Sequence, residues 1–505
     1  PEETFTSVIS FIQAGCRLID MYGQDAYHIM KTLESIAVGY SLVDEDGLDN
    51  QQFLNQLCSD LAREIRLPVK DLKLTQIISN APQELRHELA CLSKIFGHPF
   101  VSMCAGSEKL YSRVREQLTI DDEVVGDCVR MAKRSFIKAY ILRHEKWPPV
   151  ALLRNPCRRL MQAWQDNKDP DSNKYNQWPK IPLTEYDKID LQETLLFDKV
   201  PYFIPYLKDK AISVLRSKVL RTFLKEVRGK KERTSWKETR LLIWYLMNDK
   251  SVVNHVPYID KWCGDHLSFE TVLDLLVIKI IPKEKELKIE FRGFGAKPGL
   301  ERARTLVQEL NAMEYLDLYS NEQAMTLSEL EIERVLRGFR RITKAYKNYT
   351  PIKIVIDSSG WNNKFRTETV APIMQQTLDR LYGVQLFGRT MEAYENSVVY
   401  IPDLCGTHWW DGQLGGIEGL NQDTWVITYI AQIHAALKIW DCPYHIFCKG
   451  DDMRIIILVP PDMVVVESVD MIRQRLVISI SETALKFGHT INVAESYGSQ
   501  SFFAF

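Results

Sequence analysis

Two adjacent carboxylates, Asp451 and Asp452, lie between apolar runs in "HIFCKGDDMRIIILVP" (445–460). Side by side, like charges repel, and each carboxylate prefers water. A third acid, Asp357, closes another apolar run, "PIKIVID" (351–357). If the two runs are neighbours in one sheet, Asp357 and Asp451 converge at one edge. Carboxylates packed together cannot all ionise cheaply unless a cation joins them. Hard oxygen donors suit Mg²⁺ or Mn²⁺. Two such ions can clamp the attacking and leaving oxygens of an in-line phosphoryl displacement. Asp357, Asp451 and Asp452 are therefore the candidate metal ligands of a nucleotidyl transfer.

Two further stretches fit that chemistry. "GQLGGIEGLNQDTW" (412–425) places closely spaced glycines before a helical pattern. Glycine permits close backbone approach, and a helix N-terminus offers unpaired N–H groups to an anion. "IPKEKELKIEFRGFGAKPGLERAR" (281–304) holds seven Lys or Arg against four Glu. A charge run of this kind is usually a solvated face. Gly and Pro interrupt it, which predicts strand and loop rather than one helix.

The elements that must position these residues are legible in outline. "YHIFC" and "RIIILVP" flank a tight turn containing Gly450, a hairpin signal. "PIKIVID" reads as a strand. Residues 420–440 and 468–488 carry helical apolar spacing, with Gly488 ending the second. Residues 1–110 are mostly helical in pattern, as in "FLNQLCSDLAREI". Polar residues 154–188 read as a loop or boundary, and a further helical region is expected over roughly 192–279. There is no internal repeat and no low-complexity tract.

Composition adds bounds. The 505 residues are 45% hydrophobic and 26% charged, as in ordinary globular protein, with a net charge of −2. That balance gives no global signal for nucleic acid, although a basic channel can lie within an acidic exterior. The ten cysteines include no CxxC pair, which argues against a zinc ribbon and for reduced thiols. No long apolar span predicts a transmembrane helix. The opening "PEETFTSVIS" lacks a starting Met and a signal-peptide pattern, and reads as the cut edge of a longer chain.

In order, "KEKELKIEFR", "DSSGWNNKFR", "GGIEGLNQ" and "KGDD" resemble motifs F, A, B and C of an RNA-dependent RNA polymerase. The style is that of the large (L) proteins of nonsegmented and related negative-strand RNA viruses. Asp357, Trp361 and Asn362 match motif A. Gly415, Gly416, Glu418, Gly419, Leu420 and Gln422 match motif B. Lys283, Lys285, Lys288 and Arg292 match motif F, and "GHTINVAESYGSQSFFAF" is similar to motif D, with Glu495 as its acid. "LSKIFGHPFV", "FIKAYILRHEKWPPV" and "LKDKAISVLRS" resemble blocks ahead of the palm. There, His98, Trp147 and Pro148 read as structural. Two departures stand out: Asp452 where the family usually has Asn, and Phe291 where a Gly usually precedes the Arg.

The resemblance implies an α/β fold of the α+β kind, a right-hand polymerase with fingers and palm and with the thumb missing or truncated. It divides the chain into a helix-rich N-terminal part (1–180), fingers including motif F (181–349) and a palm with motifs A–D (350–505). It implies two Mg²⁺ (or Mn²⁺) on Asp357, Asp451 and Asp452. Lys283, Lys285, Lys288 and Arg292 would face the triphosphate, and Trp361, Gly416, Glu418, Asn421 and Gln422 would lie near the substrate. For Trp361, packing beneath the site is the alternative. Asn421 is one candidate reader of the ribose 2′-hydroxyl. Implied partners are template and nascent RNA, NTPs, a viral phosphoprotein and a nucleoprotein, with no membrane insertion. The implied location is virion and host cytoplasm, with the nucleus as the alternative. Two rival readings are a reverse transcriptase and an inactive, endogenised RNA-binding scaffold. The first usually has an aromatic residue before its paired acids, unlike Cys448-Lys449-Gly450.

Overall fold

The computed structural model describes residues 2–44, 51–200, 204–205, 275–283, 285–403, 406–493 and 495–500. It is a mixed helix-and-strand fold. The N-terminal helices Glu2–Tyr22, Ala26–Val43, Gln51–Ile65, Lys73–Asn80 and Gln83–Cys91 share one apolar core. In Ala26–Val43, Ile29, Met30, Leu33, Ile36 and Ala37 are buried at three- and four-residue spacing, the stripe an amphipathic helix presents to a core. Arg86 is buried among these helices. Its guanidinium donates to the carbonyls of Ile78, Ser79 and Ala81 at the end of Lys73–Asn80, and the Ile78 carbonyl also accepts from the Ala81 N–H.

Three short strand pairs and sheets frame the rest. β1 (Val150–Leu152) pairs with β2 (Ile189–Leu191). β3 (Val277–Pro282), β4 (Gly293–Ala296), β7 (Val398–Asp403) and β8 (Gly406–Trp410) form a sheet in the order β4-β3-β7-β8. β6 (Ser358–Ser359) pairs with β11 (Thr490–Ile491).

The fourth sheet matters most. β5 (Thr350–Ile356), β9 (Tyr444–Lys449), β10 (Asp452–Val459) and β12 (Tyr497–Ser499) run antiparallel in the order β12-β5-β10-β9. Ile455 faces Ile354 on one side and Ile446 on the other. The expected hairpin is therefore present, in register with the "PIKIVID" strand. β10 is apolar without alternation because both faces of the sheet are covered. Ile446, Ile455 and Ile457 join the core beneath the helices Gln422–Leu437 and Val469–Phe487. Phe447, Ile456 and Leu458 pack against the helix Glu329–Ala345. The outer edge of β9 is closed by residues 322–324: Cys448 N–H donates to the Glu322 carbonyl, and Ala324 N–H to the Cys448 carbonyl.

Several expectations need correction. One apolar core is built mainly from residues before 100, joined by Leu287, Val355 and Tyr497, and a second from residues after 100. The helix Asp122–His144 and residues such as Trp147, Tyr175 and Tyr186 belong to the same core as the β5–β10 sheet. Residues 154–188 are not all loop, since Arg158–Gln165 is a helix with Leu160 and Ala163 buried. The helical region expected over 192–279 falls mostly outside the described residues. Of its described residues, 192–200 are irregular, 204–205 and Leu275 are helical, and β3 begins at Val277. His98 is exposed, and Gly97 before it adopts φ +81. Trp147 is a packing residue, buried with its indole N–H donating to the Lys168 carbonyl at 2.8 Å.

Arg86→Ala takes the guanidinium donor from the Ser79 and Ala81 carbonyls in an apolar setting. An expected loss of about 3 kcal/mol follows from the unpaired buried acceptors. A urea midpoint no lower than that of the unsubstituted protein contradicts it.

Candidate active site

Asp357 follows β5 directly. Met453 faces Ile356 in the ladder, so one further step sets Asp357 across from Asp452. Lys449 faces Asp452, which leaves Gly450 and Asp451 as the two-residue turn between β9 and β10. Gly450 adopts φ +66, which an L side chain rarely accepts. The buried Cys448 thiol donates to the Gly450 carbonyl at 3.3 Å. The three acids thus come from one sheet end.

The segment after β11 cups Asp357. The Asp357 N–H donates to Ser496 Oγ at 3.1 Å, and its carbonyl accepts from the Asn492 N–H at 2.9 Å. Burial pushes the Asp357 carboxyl up to about 6, and Glu495, Asp451 and Asp452 add to the rise, while a hydrogen bond from the Asn492 side chain opposes it. Asp451 stands at the exposed turn tip and is also raised, first by partial desolvation and then by Asp452; Arg292 opposes the rise. Beneath them lies the buried Tyr429, whose hydroxyl has no hydrogen-bond partner among the described residues. Its phenol is pushed far up by burial, then by Cys448, Asp451, Asp357 and Asp452.

Among the described residues, no three His, Cys, Asp or Glu side chains close on a single metal position. The acids are neighbours in repulsion rather than a finished cage. Their chemistry nevertheless fits a hard divalent cation: all donors are carboxylate oxygens, and each raises the cost of ionising another.

The basic run forms β3, β4 and the loop between them. Lys283 N–H donates to the Arg292 carbonyl at 2.7 Å, closing the loop. Lys283 Nζ then pairs with Glu418, whose carboxylate oxygens both lie 3.3 Å from Arg292 Nη2. Glu286 is 3.6 Å from the other Arg292 nitrogen. The Asp451 carboxyl feels both Arg292 and Glu418, so the cationic loop and the acids share one site. Lys285 and Lys288 are exposed and do not join the Glu418 cluster; Lys285 adopts φ +63. Partial desolvation and the Arg292 cation lower the Lys288 pKa. Phe291, the departure noted above, is accommodated by Gly106, where a Cβ would fall 2.2 Å from its ring.

The glycine loop owes its shape to close approach. A Cβ on Gly415 would sit 2.1 Å from the Asn363 carbonyl oxygen, and one on Gly416 2.7 Å from that of Asn362. Asn363 Nδ2 donates to the Gly416 carbonyl at 2.9 Å. Gln422 Nε2 donates to Asn362 Oδ1 at 3.0 Å, and the side-chain oxygen Oε1 of Gln422 lies 3.9 Å from where a Gly450 Cβ would stand. Gln422 therefore bonds the segment after Asp357 and lies beside the acidic turn.

Two expected substrate contacts are buried instead. Asn421 is fully buried, donating to Glu309 at 3.0 Å and accepting from the Tyr394 hydroxyl at 2.8 Å. Both ends of its amide are used, so it cannot read a 2′-hydroxyl in this arrangement. Trp361 takes the packing alternative, edge-on to Phe365 and Tyr429.

Sequence reasoning missed Glu309. Its carboxylate accepts from the N–H groups of Asp423 and Thr424, at 2.9 and 3.2 Å, and from Thr424 Oγ1 at 2.6 Å. It caps Gln422–Leu437 from another helix, Gly299–Tyr319. No local pattern in "LVQELNAM" signals this role. Asn492 and Ser496 were also missed, and only their nearness to the motif D acid could have flagged them.

The whole chain, residues 1–505, matches the family model described as Mononegavirales RNA dependent RNA polymerase. This chain belongs to that family. Among relatives of this Mononegavirales polymerase chain, the RNA-directed RNA polymerase L of Isfahan virus is 26% identical over 495 residues, covering 89% of this chain and 22% of that protein. The corresponding protein of Rice yellow stunt virus is 23% identical, covering 87% of this chain and 23% of its own length. The large structural protein of Australian bat lyssavirus is 25% identical, covering 87% and 21%. The chain thus spans about a fifth of the length of these relatives. No described helix is long and apolar enough to cross a membrane.

The raised Asp357 pKa has a signed consequence. Between an unfolded value of 3.8 and a folded value of about 6, the folded state holds a proton that the unfolded state has lost. Without divalent ions, stability contributed by this group is full below pH about 4 and is lost as pH rises through about 6. Asp357→Asn removes that loss, so its metal-free melting temperature should fall less between pH 4 and pH 7. Identical pH profiles for the two proteins would contradict the assignment.

Proposed function

We propose that this chain carries the polymerising centre of an RNA-dependent RNA polymerase that copies a negative-strand RNA genome. The observation that supports it most is the meeting of three motifs at one sheet end. Asp357, Asp451 and Asp452 share a carboxylate cluster, and Arg292, braced by Glu418, acts on Asp451. The family match and the names of the relatives support the same reading.

In this reading, Asp357 and Asp451 would hold two Mg²⁺ (or Mn²⁺) ions, with Asp452 as a shared or secondary ligand; bound there, the ions would activate a 3′-hydroxyl and neutralise phosphate charge. The RNA 3′-hydroxyl attacks the NTP α-phosphate, and pyrophosphate leaves. Arg292 and Lys283 neutralise the triphosphate from the loop side, and Glu418 keeps them aimed while the site is empty of anion. Lys285 and Lys288, exposed on the same loop, add positive field to the entrance. Gln422 and the Gly415–Gly416 backbone hold the acid-bearing segments in register. The β5–β10 sheet serves as palm, with fingers over 181–349 and a helix-rich N-terminal region. RNA template, nascent RNA and NTPs are the substrates, and a phosphoprotein and a nucleoprotein the protein partners. The site of action is the virion and host cytoplasm, with the nucleus as the alternative.

Asp451→Ala in the full natural polypeptide removes a metal ligand. NTP incorporation on an RNA template should fall to background, and a variant with wild-type incorporation sinks the assignment. Arg292→Lys keeps the charge but loses the planar fork that spans two anionic oxygens. It should raise the KM for NTP about tenfold, more than it lowers kcat. An unchanged KM counts against the triphosphate role.

A further inference from the structure

The helix Met103–Arg115 meets the candidate site at both ends. At its start, the Ser102 N–H donates to the Ile289 carbonyl at 2.7 Å, and Ser102 forms a parallel bridge with Glu290. Two turns on, Lys109 Nζ lies 3.4 Å from the Glu290 carboxylate. At its end, the Val114 carbonyl accepts from the N–H groups of Leu414 and Gly415, each at 2.9 Å. Arg366 donates to the carbonyls of Arg113 and Glu116 at 3.3 and 2.9 Å, and Lys364 pairs with Glu116. Arg113 lies against Gly360, three residues after Asp357, where a Cβ would fall 3.3 Å from its guanidinium. From Ser102 to Val114 the rise is about 18 Å. One helix therefore joins the chain before Arg292 to the Asp357 segment and the glycine loop.

Phe291 is what seats that chain on the helix. Between the Glu290 bridge and β4, Phe291 and Arg292 alternate as in an extended chain. Phe291 turns inward, 7% exposed, into the large core. Arg292 turns outward, to Glu418 and Glu286. Two glycines flank the ring: an added Cβ would fall 2.2 Å from it at Gly106 and 3.0 Å at Gly293. Glycine is a poor residue inside a helix, yet only a missing side chain at Gly106 admits the ring. With glycine at 291, which the family usually has, the backbone before Arg292 would keep its rotational freedom. A buried ring removes that freedom one residue away from the cation.

We propose that Phe291 is a positioning residue for the triphosphate subsite, holding Arg292 at a set distance from the acids through the Gly106 socket and the helix Met103–Arg115. It rests on the reading of the chain as an RNA polymerase. Buried, the ring touches no substrate. Its effect is on binding. With Phe291 seated, Arg292 waits in place for the triphosphate; without it, part of the binding energy goes into ordering the loop.

A purely packing role has a different kinetic signature. Loss of folded molecules lowers the apparent kcat in proportion and leaves KM unchanged, whereas loss of a pre-ordered binding group raises KM.

The test measures NTP incorporation on an RNA template by the full natural polypeptide and four variants of it: Phe291→Ala, Phe291→Leu, Gly106→Ala and the double variant Phe291→Ala/Gly106→Ala. Phe291→Ala removes the anchor and Gly106→Ala fills the socket, so each should raise the KM for NTP about tenfold, more than it lowers kcat. Phe291→Leu keeps an apolar anchor and should hold KM within about threefold of the unsubstituted protein. In the double variant the added methyl meets no ring, so KM should match that of Phe291→Ala alone. Gly106→Ala favours the helix, so it decides the matter even where Phe291→Ala yields no folded protein. Unchanged KM in Gly106→Ala overturns the proposal, as do single effects that multiply in the double variant. Asp451→Ala separates the two claims. RNA synthesis by that variant sinks the polymerase reading itself, while its inactivity beside an unchanged KM in Gly106→Ala sinks only the positioning role.

Discussion

Repulsion among Asp357, Asp451 and Asp452 is the constraint on which the rest of this structure depends. Acids free to separate would do so, and the site would dissolve into solvent. They stay together because two antiparallel ladders, β9–β10 and β5–β10, fix the backbone that carries them. Burial first, and the neighbouring carboxylates after it, raise the Asp357 and Asp451 pKa values. The charge density also creates demand for a cation, which Arg292 meets in part and a divalent ion would meet in full.

Holding that sheet end rigid takes burial on both faces. The Gln422–Leu437 helix lies under it with every residue from Thr424 to Leu437 buried. Its N-terminus must be satisfied without water, and Glu309 does this. Glu309 belongs to a helix stabilised by a buried polar chain: Lys297 and Arg304 on Glu301, Arg304 on Gln308, and Gln308 on Thr390. Burial lowers the Lys297 pKa to about 8 despite Glu301 beside it. Such networks contribute little net stability compared with an apolar core. Their effect is orientation, because each member accepts only one geometry. Here they fix the start of the helix whose first residue, Gln422, bonds Asn362 beside the acidic turn.

Glycine supplies the remaining tolerance. Gly415 and Gly416 let the Asn362–Asn363 backbone approach to distances that no side chain permits. Gly450 lets the hairpin reverse in two residues. The same logic explains Phe291. A bulky residue before Arg292 is tolerated because Gly106, on the helix Met103–Arg115, leaves room for its ring.

The sequence by itself determined the hairpin, the strand before Asp357, the two long helices and the identity of the acids and of Arg292. Each of these is a local pattern: apolar runs bounded by turn residues, helical spacing, or a motif read in order. Only the tertiary structure decided which polar residues face the site. Asn421 and Trp361 lie within motifs yet turn inward, because a buried helix start needs an amide partner and the core beneath the acids needs volume. Glu309 lies outside every motif, and Asn492 and Ser496 lie within the motif D stretch with nothing to single them out, yet they cap the helix and cup Asp357. Their roles depend on contacts between segments far apart in the chain, and no one-dimensional period encodes which distant donor a buried backbone N–H will meet.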